Sequence, residues 1–234
     1  MAFSFGKKIT QDGSVIYLDA ANPNSYDGVS TNWNDLRANA NGTLVNGPTY
    51  NSDIKSFTFD GVNDYVSFGN QSQFLIPTFT VSAWVSPLFF SDQGTAIFSL
   101  GDSNRLILGM NYGTAGVSTG GMYIYVGGNS AALNSMTSVP SVRLNGWYNY
   151  AFVIDVPGSN IKGYINGNQV YSNTNSYGTD LNPPGGYGGV LASRYGGSSD
   201  RTNMKIATFS FYNRALTAGE VAQNYDSLRG RFGL

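Results

Sequence analysis

Two aspartates, Asp60 and Asp64, flank Gly61 and Asn63 in the stretch FDGVNDYVSF, residues 59–68. Asp60, Asn63 and Asp64 together offer side-chain oxygens in one short loop, the donor type a hard cation such as calcium takes. The same residues suit a tight turn, because Asp and Asn bond their own backbone and Gly61 tolerates positive φ. The turn is the expectation, with calcium the alternative; the spacing does not match an EF-hand. Beyond this loop the acid–base inventory is thin. The chain has no His and no Cys, and its single glutamate is Glu220. That removes the imidazole base, the Ser-His-Asp triad, the disulfide and the ordinary catalytic or thiolate zinc site. Glycoside hydrolysis needs two carboxylates about 5–5.5 Å apart for retention, or about 6.5–9.5 Å for inversion. No strand-like run carries a D-x-D or E-x-D array, so the chain is not expected to be an enzyme.

Sugar recognition is the second chemistry the residue types permit. It uses flat aromatic faces beside amides and hydroxyls. Tyr177, Tyr187 and Tyr195 lie in glycine-rich stretches, with Asn175, Asn182, Asp200 and Arg201 near them in sequence. These seven residues are carbohydrate or protein-interface candidates, since a tyrosine ring is apolar with a polar tip. Tyr123 and Tyr125 alternate with Met122 and Ile124, so one pair faces a core and the other faces out. Trp84 and Trp147 fall on strand-like runs and read as packing residues. Trp33 reads as cover for a sheet edge. Lys7 and Lys8 are too few for a nucleic-acid patch.

The elements that must position these residues are mostly strands. Of 234 residues, 41% are hydrophobic, 14% aromatic and only 12% charged, with a net charge of −1. The charged share is about half the usual 25%. A chain so neutral offers no electrostatic case for nucleic acid or an acidic membrane surface. Short β-rich runs recur at 14–20, 79–87, 95–100, 105–110, 121–128, 147–155, 161–173 and 204–213. Gly, Asn, Asp and Pro clusters separate them, as in an antiparallel sandwich. In FTVSAWVSP the alternation places Phe79, Val81, Ala83 and Val85 on one face and Trp84 on the other. Asn166-Gly167 supplies the positive-φ pair of a two-residue hairpin. The one helix signal spans 216–230: Thr217 caps, Glu220 completes a capping box, Val221, Tyr225 and Leu228 share a face, and Gly230 ends it. The whole chain, 1–234, reads as one all-β domain, with residues 1–13 as an N-terminal docking arm. No run is long and apolar enough for a membrane helix or a signal-peptide core, so the expectation is a product of the cytoplasm that inserts in no membrane.

FDGVNDYV (59–66), FTVSAWV (79–85), WYNYAFVID (147–155), IKGYINGNQVY (161–171) and FYNRALTAGEV (211–221) occur in that order. Together they resemble the laminin-G-like branch of the concanavalin A-like lectin/glucanase superfamily. VIYLDAANPNSY (15–26) and WNDLRANANGTLVNGPTY (33–50) look like that branch's lead-in. The resemblance implies a two-sheet antiparallel jelly roll. It also implies where chemistry would sit. Glucanases of the superfamily use paired glutamates on one strand, which this chain lacks. Relatives that bind calcium at the DGVND-type loop draw acidic residues from a later strand, where this sequence has Ala207 and Thr208. The closing stretch, 215–234, resembles the tails of laminin-G-like structural proteins in bacteriophages of aquatic bacteria. That implies a virion location. It also implies capsid decoration or a fibre or tail appendage as the role, and virion proteins, a homo-oligomer or lattice, and a host glycan as partners. The alternative is an adhesin whose main ligand is a cell-surface glycan.

Overall fold

A computed structural model describes residues 8–90, 95–101, 106–110, 121–126, 142–174, 188–194 and 202–234. In chain order the strands are β1 (Ser14–Asp19), β2 (Asn32–Trp33), β3 (Gly42–Val45), β4 (Thr49–Asn51), β5 (Ser56–Asp60), β6 (Tyr65–Ser67), β7 (Thr78–Pro87) and β8 (Thr95–Leu100). They continue as β9 (Leu106–Met110), β10 (Met122–Val126), β11 (Tyr148–Asp155), β12 (Asn160–Ile165), β13 (Asn168–Asn173), β14 (Gly189–Leu191) and β15 (Asn203–Tyr212). A helix, α1 (Ala218–Leu228), runs into a 3-10 turn at Arg229–Phe232. The eight runs of β-rich sequence all become strands. The short strands β2, β3, β4 and β14 carry too few residues to show a period and are visible only once paired.

Among the described residues all pairings are antiparallel and form two sheets. The eight-stranded sheet runs β13-β12-β11-β7-β15-β5-β4, and β1 pairs with the far half of β15. The seven-stranded sheet runs β10-β9-β8-β14-β6-β3-β2. The core lies between them. Phe79, Val81, Ala83 and Val85 of β7 face it, with Phe209 and Phe211 of β15, Phe98 and Leu100 of β8, and Met122 and Ile124 of β10. Gly163 of β12 is small because a Cβ there would collide with the sulfur of Met122 from the other sheet. This is the antiparallel sandwich the periodicity predicts, and it is consistent with the jelly roll the resemblance implies.

The central strands of the eight-stranded sheet, β7, β11 and β15, are buried on both faces. The outer face of that sheet carries Ala151 and Val153 of β11, Tyr164 of β12 and Tyr212 of β15, and these pack against Leu216 and Val221. Trp84, on the side of β7 away from the core, lies under Tyr225 and Phe232 with ring centroids 5.6 and 4.2 Å away. The capping box forms as the sequence predicts: Thr217 Oγ1 accepts from Glu220 N at 3.3 Å, and Thr217 N donates to Glu220 Oε2 at 2.8 Å. The helix end differs from expectation. Gly230 does not stop it; the chain tightens into the 3-10 turn and ends at Gly233, with φ of 73°. The reason is tertiary, because the extra turn carries Phe232 onto Trp84. Residues 8–12 lie along the same helix, where Thr10 N donates to Asn224 Oδ1 at 2.7 Å and Gln223 Nε2 to Lys8 O at 2.8 Å. Trp33 also departs from its expected role. It is fully buried against Phe57, 4.8 Å between ring centroids, and fills the core instead of covering an edge.

Candidate functional site

The Asp60–Asp64 loop joins β5 to β6, and its hydrogen bonds turn inward. Asp60 Oδ1 accepts from Val62 N at 2.7 Å and Asn63 N at 3.2 Å. Asp60 N donates back to Asp64 Oδ2 at 3.1 Å. These backbone donors, Val62 first, hold the Asp60 carboxyl below the ordinary range. Burial pushes the Asp64 carboxyl up, and the nearby Asp60 charge adds to that. Asn63 faces solvent while its carbonyl accepts from Asn46 Nδ2 at 2.7 Å. Gly61 has φ of 76°, and a Cβ there would stand 3.0 Å from Asn203 Cβ. Register places Asn203 opposite Asp60. Ala207 and Thr208 therefore do not border this loop. Thr208 pairs with Asp19 of β1, and Ala207 O accepts from Ala20 N at 3.0 Å. A hard cation wants about six to eight oxygens. Among the described residues no group of three or more His, Cys, Asp or Glu side chains converges to supply them. With the Asp60 carboxylate committed to backbone amides, the donor set fits a turn better than a calcium site.

The alternation in β10 resolves one way. Met122 and Ile124 are buried in the core, while Tyr123 and Tyr125 point to the outer face of the seven-stranded sheet and are half-buried. Tyr123 stands opposite Gly109 of β9, where a Cβ would collide with the Thr95 carbonyl of β8. The Arg194 guanidinium lies 5.9 Å from the Tyr123 ring centroid, within cation–π range. The backbone that carries Arg194 is anchored: Ser99 Oγ donates to Ser193 O at 2.9 Å, and beyond it Thr202 Oγ1 donates to Ala96 O at 2.9 Å. This face thus carries two half-buried phenol rings, with the buried Arg194 beside one of them. The loop candidates Asn175, Tyr177, Asn182, Tyr187, Tyr195, Asp200 and Arg201 lie outside the described residues.

A second aromatic feature was not legible as a site. Trp147, just before β11, packs its ring 4.7 Å from that of Phe232 and stays half-exposed. With Asp53, Ile54, Lys55 and Arg231 these rings line an open cleft of about 300 Å³. Lys55 also lines an adjoining cleft of about 400 Å³ with Pro23, Tyr26, Asp27, Tyr50 and Ser52. Arg231 fixes the junction. Its guanidinium pairs with Asp19 at 2.7 Å, bonds the Lys55 carbonyl, and sits 5.2 Å from the Phe232 centroid. The β4–β5 turn is held by Asn51 Oδ1, which accepts from Asp53 N at 2.9 Å and Ile54 N at 3.0 Å. The residues come from three distant parts of the chain, so no local motif could reveal them.

Residues 60–222 match the sequence profile described as the concanavalin A-like lectin/glucanases superfamily. No curated protein matches the sequence. Among solved structures, Trypanosoma rangeli sialidase in complex with sialic acid is similar with a TM-score of 0.69 and 16% identity, over 97% of this chain and 36% of that one. The chain thus spans about a third of the sialidase's length. Domain 4 of an extracellular arabinanase from Geobacillus stearothermophilus, in complex with arabinotriose, gives a TM-score of 0.67 and 16% identity over 92% of this chain and 100% of that one. The binding domain of botulinum neurotoxin serotype D gives 0.56 and 15% over 92% and 52%. At these identities the likeness is one of fold. The profile match spans well over half of the sequence, and the two-sheet sandwich agrees with it: the chain belongs to the concanavalin A-like lectin/glucanases superfamily.

Proposed function

We propose that this chain is a non-catalytic carbohydrate-recognition domain, carried as a structural component of a bacteriophage particle. The observation that carries the glycan reading is the outer face of β10, where Tyr123 and Tyr125 point away from the core beside Arg194. Phenol rings stack on the C–H faces of a sugar, and their hydroxyls reach its oxygens. The arabinotriose complex of the arabinanase domain supports the same reading by likeness of fold. Absence of catalysis rests on the sequence's one glutamate, which is tied to Arg214 and Thr217 at the helix start. The virion reading rests on the resemblance of residues 215–234 and on the neutral surface, which suits attachment by buried area and hydrogen bonds.

A glycan array tests the first part. Selective binding that weakens in Tyr123→Ala and Tyr125→Ala, with no sugar released on incubation, is the expected result; an array without signal sinks the glycan reading. Mass spectrometry of fractionated particles tests the second. Recovery with tails or fibres fits an adhesin, recovery with heads at high copy fits decoration, and absence from particles removes the virion assignment.

A further inference from the structure

We propose that the cleft between the β4–β5 turn and the C-terminal 3-10 turn is a separate carbohydrate subsite, selective for short neutral oligosaccharides. Its floor is aromatic, from Trp147 and Phe232. Its walls are polar, from Asp53 and Lys55. Trp33 and Trp84 have buried indole nitrogens, whereas Trp147 is half-exposed at the cleft. An apolar ring beside one carboxylate and one ammonium is the donor–acceptor mixture that sugar hydroxyls need. One charge of each sign on the walls gives no net preference for an acidic ligand, because Arg231 is already paired with Asp19.

The size and rigidity fit that class. The two adjoining clefts, about 300 and 400 Å³, share Lys55. Volumes in this range hold a small ligand of about two to three sugar units. The walls are set before binding. Asn51 pins the turn that carries Asp53, and Arg231 clamps the Lys55 carbonyl to Asp19. Little ordering entropy is then lost when a ligand enters. The subsite lies beside the outer face of the eight-stranded sheet, whereas Tyr123 and Tyr125 lie on the outer face of the other. One chain would therefore hold glycan on two opposite sides, which raises its avidity for a polymer that can reach both.

The inference rests on the carbohydrate reading, and the test separates the two. The intact chain is titrated with arabinotriose, cellotriose and mannotriose, following the indole N–H resonances and acrylamide quenching of tryptophan fluorescence. At least one trisaccharide should shift the Trp147 resonance and protect it from acrylamide, leaving Trp33 and Trp84 unmoved. Trp147→Ala should weaken binding at this subsite ~10-fold or more, about one aromatic contact's worth. In case that variant folds poorly, Asp53→Ala and Lys55→Asn test the same walls from exposed positions; Lys55 has φ of 53°, which Asn tolerates. Each should weaken the binding read at the Trp147 resonance ~3–10-fold. Saturation by a glycan with no response at Trp147 overturns the subsite and leaves the carbohydrate reading intact. No binding of any trisaccharide or arrayed glycan overturns both.

Discussion

At the scale of single residues, strain and hydrogen bonding decide what the DGVND loop is for. Gly61 sits at φ of 76° with Asn203 close behind it. Gly61→Ala puts a side chain into that conformation and that contact, at a cost of about 1–2 kcal/mol. For a chain of this size the melting temperature should fall by about 2–8 °C, readable by calorimetry. Calcium should do little. Asp60 already serves its own backbone, so millimolar calcium should move the melting temperature by less than ~1 °C, and a larger rise would restore the metal reading through linkage. The residue types at this loop were plain in the sequence. What the spacing could not give was register: Asn203, not Ala207 or Thr208, stands across from Asp60.

At the scale of elements, the C-terminal helix is a lid on a sheet face that would otherwise be wet. Its start is electrostatically tuned. The Arg214 guanidinium, with help from Thr217, holds the Glu220 carboxyl at about 2, below its ordinary 4.5. A depressed acid contributes its stability in full above about pH 4.5 and loses it as pH falls toward 2. With the side chain 27% exposed, solvent screening leaves about 1–2 kcal/mol of that. Glu220→Gln should therefore lower stability by this amount at pH 7 and flatten the acid limb of a denaturation series between those two pH values. The far end of the helix is tested by Phe232→Ala. Removing the ring stacked at 4.2 Å over Trp84 should cost about 1–2 kcal/mol, since Phe232 is itself only partly buried, and shift tryptophan emission to the red as the indole meets water. The capping box was legible because it is local, four residues long. The stop was not, because Gly230 is overruled by a contact between Phe232 and a strand far earlier in the chain.

At the scale of the whole molecule, the scarcity of charge is the property with the widest consequence. With 13 basic and 14 acidic residues in 234, no long-range field steers a partner. Binding to glycan or to neighbouring subunits should change less than ~3-fold between about 50 and 500 mM salt, a range over which charge-driven contacts are screened. Surface plasmon resonance across that series gives the answer, and a steep loss would point to a charged interface instead. Both outer faces of the sandwich carry aromatic side chains, Tyr123 and Tyr125 on one sheet and Trp147 beside the other. That arrangement suits a module that crosslinks or tracks along a polymer.

The sequence by itself determined the class and much of the element order. Period-two alternation, the Asn166-Gly167 turn and the Thr217–Glu220 box each act over a few residues, and each reappears in the structure, with φ of 52° and 75° at the hairpin. Alternation defines two faces of a strand but not what lies against each. Only the fold decided that Met122 and Ile124 go inward, that Trp33 joins the core, and that Trp84 is roofed by residues near the C-terminus. Only the fold brought Asp53, Trp147 and Phe232 to one cleft. These outcomes depend on contacts between residues far apart in the chain, formed when two sheets and a helix bury their apolar faces together, and no short window of sequence contains them.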